Sequence, residues 1–312
     1  MLEGLGGVSK IPELQRRILF TLLLLAVYRI GVFIPTPGID NTALLAFFEH
    51  ARGSMMGLMD LFTGGALSSF SIFALGIMPY ITSSIILSLL TVAIPHLEKL
   101  SKEGESGRRK ITQYTRYGTV GLSIIQGFGI AWGLQQMASP TGAPIVLHAG
   151  WGFIIMTIIT LTSGTAFLMW LGETMTEKGI GNGISLIIFA GIVCRLPAGI
   201  SRTWSLYSSG EIHFLMVVIL GIFMVAVIGA IVYVEAAQRR IPVQYAKRIV
   251  GRKIYGGQST HLPLKINSSG VIPPIFASSV IMFPATIANF APAGLMKTIS
   301  GYLMPGRIGY EV

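Results

Sequence analysis

Residues 214–235 read Phe-Leu-Met-Val-Val-Ile-Leu-Gly-Ile-Phe-Met-Val-Ala-Val-Ile-Gly-Ala-Ile-Val-Tyr-Val-Glu, with no charged side chain before Glu235. A helix of this length rises about 33 Å, and the hydrocarbon core of a bilayer is about 30 Å thick. The stretch is too long and too apolar for the core of a soluble domain, so it predicts a transmembrane helix. Six further runs of the same kind flank it, at residues 18–34, 70–94, 118–137, 151–172, 183–200 and 270–290. The whole chain agrees: 52% of its residues are hydrophobic and only 12% are charged, about half the charged share of a soluble domain. The mean hydropathy is +0.69. The expected fold class is all-α, a polytopic transmembrane helix bundle.

Charge placement predicts the orientation, because cytoplasmic loops are enriched in Lys and Arg. With the N-terminus inside, most of the 23 basic residues fall on the cytosolic side. They cluster before the first run, between Lys99 and Arg116, at Lys178, and between Arg239 and Lys265. The end of the seventh run then lies outside. No stretch has the pattern of a cleavable signal peptide, so the N-terminus is expected to be retained.

The connections differ in character. Residues 35–69 are too long for a tight turn and too polar to span. Within them, Met55, Met56, Leu58, Met59, Leu61 and Phe62 make a short apolar helix that ends at Gly64 and Gly65. Such a piece either lies on the membrane surface or folds back into a cavity, since irregular backbone at membrane depth must be shielded from lipid. Residues 95–117 read as a charged cytosolic loop and 172–183 as a tight cytosolic turn. The largest cytosolic element is 236–268, with seven basic residues and no acidic one.

Several stretches resemble the bacterial SecY family. They are Phe73-Ala-Leu-Gly-Ile-Met-Pro-Tyr-Ile81, Lys102-Glu-Gly-Glu-Ser-Gly-Arg-Arg-Lys110, Gln113-Tyr-Thr-Arg-Tyr-Gly118, Gly179-Ile-Gly-Asn-Gly-Ile-Ser185, Gln258-Ser-Thr-His-Leu-Pro-Leu-Lys265 and Phe276-Ala-Ser-Ser279. The resemblance runs over nearly the whole chain and covers about seven of the family's ten spans. It implies a protein-conducting channel built from two inverted halves. Residues 1–200 would form the N-terminal half, with spans one to five. Residues 201–312 would form an incomplete second half, with spans six and seven and the basic loop. The implied location is the plasma (inner) membrane. The implied partners are SecE and SecG, the SecA motor, the ribosome, signal sequences, nascent polypeptides and membrane lipid.

Site residues follow from the same match. Ile77 and Ile81, Ile184 and Ile188, and Ile275 match the family's apolar pore ring. The first two pairs are spaced i, i+4, which puts each pair on one helix face. A narrow apolar ring excludes water and ions until a polypeptide displaces it. An isoleucine on a membrane helix otherwise faces lipid or a neighbouring helix. Residues 55–69 match the plug of the resting channel; without the match they read as an interfacial helix. Thr82, Ser279 and Phe283 are lateral-gate candidates, on spans whose prolines and hydroxyls also suit a structural kink. Arg239, Arg240, Lys247, Arg248, Arg252 and Lys253 are candidates for docking an anionic partner, such as ribosomal RNA. The positive-inside bias, lipid headgroups or simple solvation account for such charge equally well.

Catalytic chemistry has no support in the sequence. The five histidines lack metal-ligand spacing, Gly179-Ile-Gly-Asn-Gly183 lacks the Lys-Ser/Thr ending of a phosphate loop, and the single Cys194 excludes an internal disulfide. No cofactor or metal is expected. The competing class is a secondary transporter, which would place ionisable residues at mid-membrane. The predicted spans are nearly empty of them.

Overall fold

The computed structural model describes residues 11–50, 60, 63–136, 144–243, 248–250, 253–255 and 260–267. The helices among them are α1 (Pro12–Val32), α2 (Asn41–His50), α3 (Met78–Ala93), α4 (Pro95–Lys102), α5 (Glu105–Gln136), α6 (Trp151–Lys178), α7 (Gly183–Val193), α8 (Leu196–Ser208) and α9 (Phe214–Ala236). Three stretches are long and apolar enough to cross a membrane: Trp151–Lys178, Gly183–Ser208 and Phe214–Ala236. A fourth is reached if α3 and α4, bent by 101° at Ile94, count as one broken span. The seventh run, 270–290, lies outside the described residues. α1 carries Glu13, Arg16, Arg17 and Arg29, and α5 carries the charged residues 105–116, so neither has the pure apolar composition of α9.

The described residues fall into two compact units, one up to Pro197 and one from Ala198. In the first, α6 packs against α1, α3, α5 and α7. Small residues permit this close approach, as is usual between helices in lipid. A Cβ on Gly164 would sit 1.9 Å from the Ile72 carbonyl oxygen, and one on Gly183 would sit 2.2 Å from the Gly172 carbonyl oxygen. Thr115, Thr119 and Ser123 form a buried hydroxyl stripe on α5. Each donates to the carbonyl four residues earlier, at 2.7–3.0 Å. Ser83 of α3 donates to the Thr115 carbonyl at 2.9 Å, tying α3 to α5. Toward the polar end, the Arg116 guanidinium forks onto Glu173, at 2.6 and 3.1 Å.

Two predictions about connections need correction. Residues 95–117 are two helical stretches, joined by a turn at residues 103–104, rather than a loop. Charge hid the helices from a hydropathy reading, but Glu98–Lys102 and Glu105–Arg109 pair at i, i+4 on their surfaces. The 70–94 run is helical only from Met78. Residues 63–77 are a chain of turns, with Phe70, Gly64, Gly65 and Gly76 at positive φ.

α2 follows an Asp40 cap. Its carboxylate accepts from the Thr42 hydroxyl (2.6 Å) and from the backbone N–H groups of Thr42 (2.9 Å) and Ala43 (3.4 Å). These donors hold the carboxyl below its ordinary range.

The second unit departs from an all-α fold. β1 (Gln238–Val243) pairs antiparallel with β4 (Thr260–Lys265), in register from Gln238 opposite Lys265 to Val243 opposite Thr260. Between them β2 (Arg248–Val250) pairs with β3 (Lys253–Tyr255). The described residues of the basic loop form a ribbon of two antiparallel strand pairs. At its base the Ile266 N–H reaches the Ala237 carbonyl at 3.3 Å, and the Asn267 amide reaches Glu235 at 3.1 Å.

Candidate functional site

The site grows from the turn segment that leads into α3. Asp60 is buried and organises its start. Its carbonyl accepts from the Gly65 N–H at 3.0 Å, and its carboxylate accepts from the Ser68 N–H at 2.8 Å. Gly64 and Gly65 follow at φ +66° and +95°, where a side chain is strained. Space forbids one at Gly64 as well, since a Cβ there would lie 2.7 Å from the Gly191 Cα on α7. Backbone therefore meets backbone at this contact.

Three further contacts fasten the segment. The Tyr28 hydroxyl donates to the Thr63 carbonyl at 3.2 Å, and Arg29 Nη1 donates to the Gly64 carbonyl at 2.9 Å. Both donors sit near the end of α1. From just beyond α7, the Arg195 guanidinium forms an ion pair with the Asp60 carboxylate and reaches the Ser68 hydroxyl at 3.5 Å. The Asp60 side chain is only 6% exposed and that of Arg195 is 34% exposed. Burial removes much of the solvent screening that would weaken such a pair at the surface.

The segment contributes to an apolar cluster. Ala66, Phe73, Ile77 and Ile187 are buried there with Leu24, Tyr28 and Leu168, and Ile81, Ile184 and Ile188 pack against them half-buried. Four of the five predicted ring isoleucines thus share one cluster. Ile77 caps α3 rather than lying within it, and its carbonyl accepts from the Ile81 N–H at 3.1 Å. Asn182 caps α7, its side chain accepting from the N–H groups of Ile184 (3.0 Å) and Ser185 (3.2 Å). The cap fixes where the Ile184–Ile188 face begins.

The other candidates are placed unevenly. Thr82 is half-buried in the first turns of α3. Arg239 and Arg240 are exposed on β1. Arg248 and Lys253 open β2 and β3. Ile275, Ser279, Phe283, Lys247, Arg252 and the plug positions Met55, Met56, Leu58, Met59, Leu61 and Phe62 lie outside the described residues. The sequence reading missed Tyr28, Asp60, Gly191 and the fastening role of Arg29 and Arg195. One signal was available. Two arginines stand at span ends away from the basic clusters, and one Asp interrupts an otherwise apolar segment. Among the described residues, no group of three His, Cys, Asp or Glu could hold a metal ion.

Helices of this length and apolarity, packed through small residues around irregular turns, define a polytopic helical membrane protein. A family model described as SecY matches residues 71–309. The protein translocase subunit SecY of Escherichia coli (strain K12) is 54% identical over 306 residues, covering 97% of this chain and 68% of that protein. The chain belongs to the SecY family, whose members are channel subunits and not enzymes. A solved structure described as that of a protein conducting channel aligns with a TM-score of 0.57 at 19% identity, over 90% of this chain and 62% of that one. Another, in which the plug domain of the SecY protein is said to stabilise the closed state and maintain a membrane seal, aligns with a TM-score of 0.52 at 21% identity, over 90% of this chain. At these identities the structural likeness speaks to the fold. The chain spans less than two thirds of the length of these structures.

Proposed function

We propose that this chain is the channel subunit of a protein-export translocon in the inner membrane, with its N-terminus in the cytosol. It passes unfolded preproteins across the membrane and releases membrane segments sideways into lipid. The observation that carries this reading is the meeting of Ile77, Ile81, Ile184 and Ile188 in one apolar cluster, directly beside the fastened turn that begins at Asp60. A ring of this kind needs isoleucines from separate elements to converge, and those at the start of α3 and on α7 converge here. In this reading Ile275, outside the described residues, joins these four in the ring, residues 55–69 are the plug, and Thr82, Ser279 and Phe283 line the lateral gate. The basic ribbon serves SecA and the ribosome, SecE and SecG are the accessory subunits, and residues 1–200 and 201–312 belong to the two halves.

The test is electrical. In the assembled channel, Ile188→Ser places a hydroxyl in the constriction and lowers the cost of wetting it. Resting ion conductance in planar bilayers is expected to rise, and weakly hydrophobic signal sequences are expected to be accepted. Unchanged conductance for Ile81→Ser, Ile184→Ser and Ile188→Ser alike rejects the ring.

A further inference from the structure

We propose that Asp60, Arg195 and Arg29 form a charged clasp that sets how readily the two ring-bearing elements separate. The proposal rests on the channel reading above. Its basis is connectivity. Arg195 lies two residues beyond the end of α7, the helix that carries Ile184 and Ile188. Asp60 stands at the head of the segment that leads into Ile77 and α3. The ion pair therefore ties one isoleucine pair to the other across 135 residues of sequence. Arg29, at the end of α1, holds the Gly64 carbonyl on the same turn, so three separate stretches of chain are pinned at one point.

The chemistry suits a reversible fastening better than a permanent one. The contact between the segment and α7 is backbone against backbone at Gly64 and Gly191. No side chain interlocks at that point, and beyond it Ala66, Phe73 and Ile77 of the segment share the apolar cluster with Ile187 of α7. Besides that apolar packing, the resistance to parting at this point is electrostatic. An Asp carboxylate removed from water needs a cation, and separating the pair without a replacement partner leaves a buried charge uncompensated. Arg195 is a third exposed, so water can reach its guanidinium as the pair opens, whereas Asp60 stays dry. The clasp thus yields from the Arg195 side. Its strength is set by two residues that are not among the predicted ring isoleucines.

Charge exchange provides the test, in the complete channel complex in planar bilayers. Asp60→Asn and Arg195→Gln each remove one member, and the double variant Asp60→Arg with Arg195→Asp restores the pair with reversed sign. A fourth variant deletes residues 60–68. Resting open probability is expected to rise at least about tenfold in each single variant, the change that ~1.4 kcal/mol produces. It is expected to return toward the parent in the exchanged pair. Open probability unchanged in both single variants, with a rise on deletion, overturns the clasp and leaves the channel reading intact. A rise in the single variants without recovery on exchange also overturns it, because the two charges then do not act as a pair. No rise even on deletion overturns the clasp together with the reading of this segment as part of the closed channel. Should a single variant fail to fold, the neutral pair Asp60→Asn with Arg195→Gln strands no charge and takes its place, with the same elevated open probability expected.

Discussion

Gly64 shows what one residue contributes at this site. Its φ of +66° already costs an L-residue about 1–2 kcal/mol. In addition, a methyl group there would press on the Gly191 backbone, which cannot rotate away as a side chain could. Gly181 separates the two effects. It has φ +69° and open space for 4 Å around the point where a Cβ would lie, so Gly181→Ala carries only the conformational cost. Gly64→Ala is therefore expected to lower the thermal midpoint of the detergent-solubilised protein more than Gly181→Ala does. Equal shifts would show that the Gly64–Gly191 contact does not constrain the segment. At this scale legibility was uneven. The Ile184–Ile188 pair could be read because a helix converts spacing into a shared face, whereas Ile77 reaches the same cluster from the turn before α3. The Asp60–Arg195 pair could not be, because no local rule connects residues 135 apart. It emerges only once α1 and α7 are packed on α6.

Among the elements, two helical glycines, one on α5 and one on α6, face opposite surroundings. Gly121 on α5 has open space where a Cβ would go, whereas Gly164 on α6 faces the Ile72 carbonyl at 1.9 Å. Gly121→Ala is expected to be neutral or to stabilise by up to ~1 kcal/mol, through helix propensity alone. Gly164→Ala is expected to destabilise markedly, because it must push α6 away from the turns before α3. Thermal unfolding in the same detergent checks both, and a neutral Gly164→Ala would mean that the α6 contact relaxes freely. Element boundaries were legible where composition and conformation coincide. The α6 and α9 runs are apolar throughout and helical throughout. Hydropathy failed on both sides of α3, for opposite reasons. Residues 70–77 are apolar yet turn, since Gly76 at φ +57° and Phe70 at φ +42° break the helix without adding polarity. Residues 95–117 are charged yet helical, since their charges pair along the surface. Reading the Glu98–Lys102 and Glu105–Arg109 spacings would have recovered the helix.

For the whole molecule, the ribbon at 238–265 is the expected point of contact with the machinery that drives transport. Arg248 and Arg252 lie near its far end in sequence, on β2 and just before β3. With docking as proposed, Arg248→Glu with Arg252→Glu is expected to weaken ribosome and SecA binding and to flatten its dependence on salt, as counterion release requires. Membrane insertion is expected to be unchanged, since Arg239, Arg240 and Lys265 still flank α9. Binding across a salt series decides the matter: the parent's affinity and slope in the double variant would reduce these charges to a topology signal. The ribbon itself was not legible, because an apolar, helix-rich chain favours helix everywhere. The alternation in residues 260–265 is also too short to stand against that expectation. Its closed base has an evolutionary corollary. The chain leaves the helix at Ala237 and returns at Ile266, where one hydrogen bond joins the two points. Everything between them is an excursion whose ends already meet, so its length and composition can drift, be trimmed or be exchanged without changing where the next segment starts. A lineage acquiring a different partner could retune this appendage alone, while the helices stay under their own, separate selection.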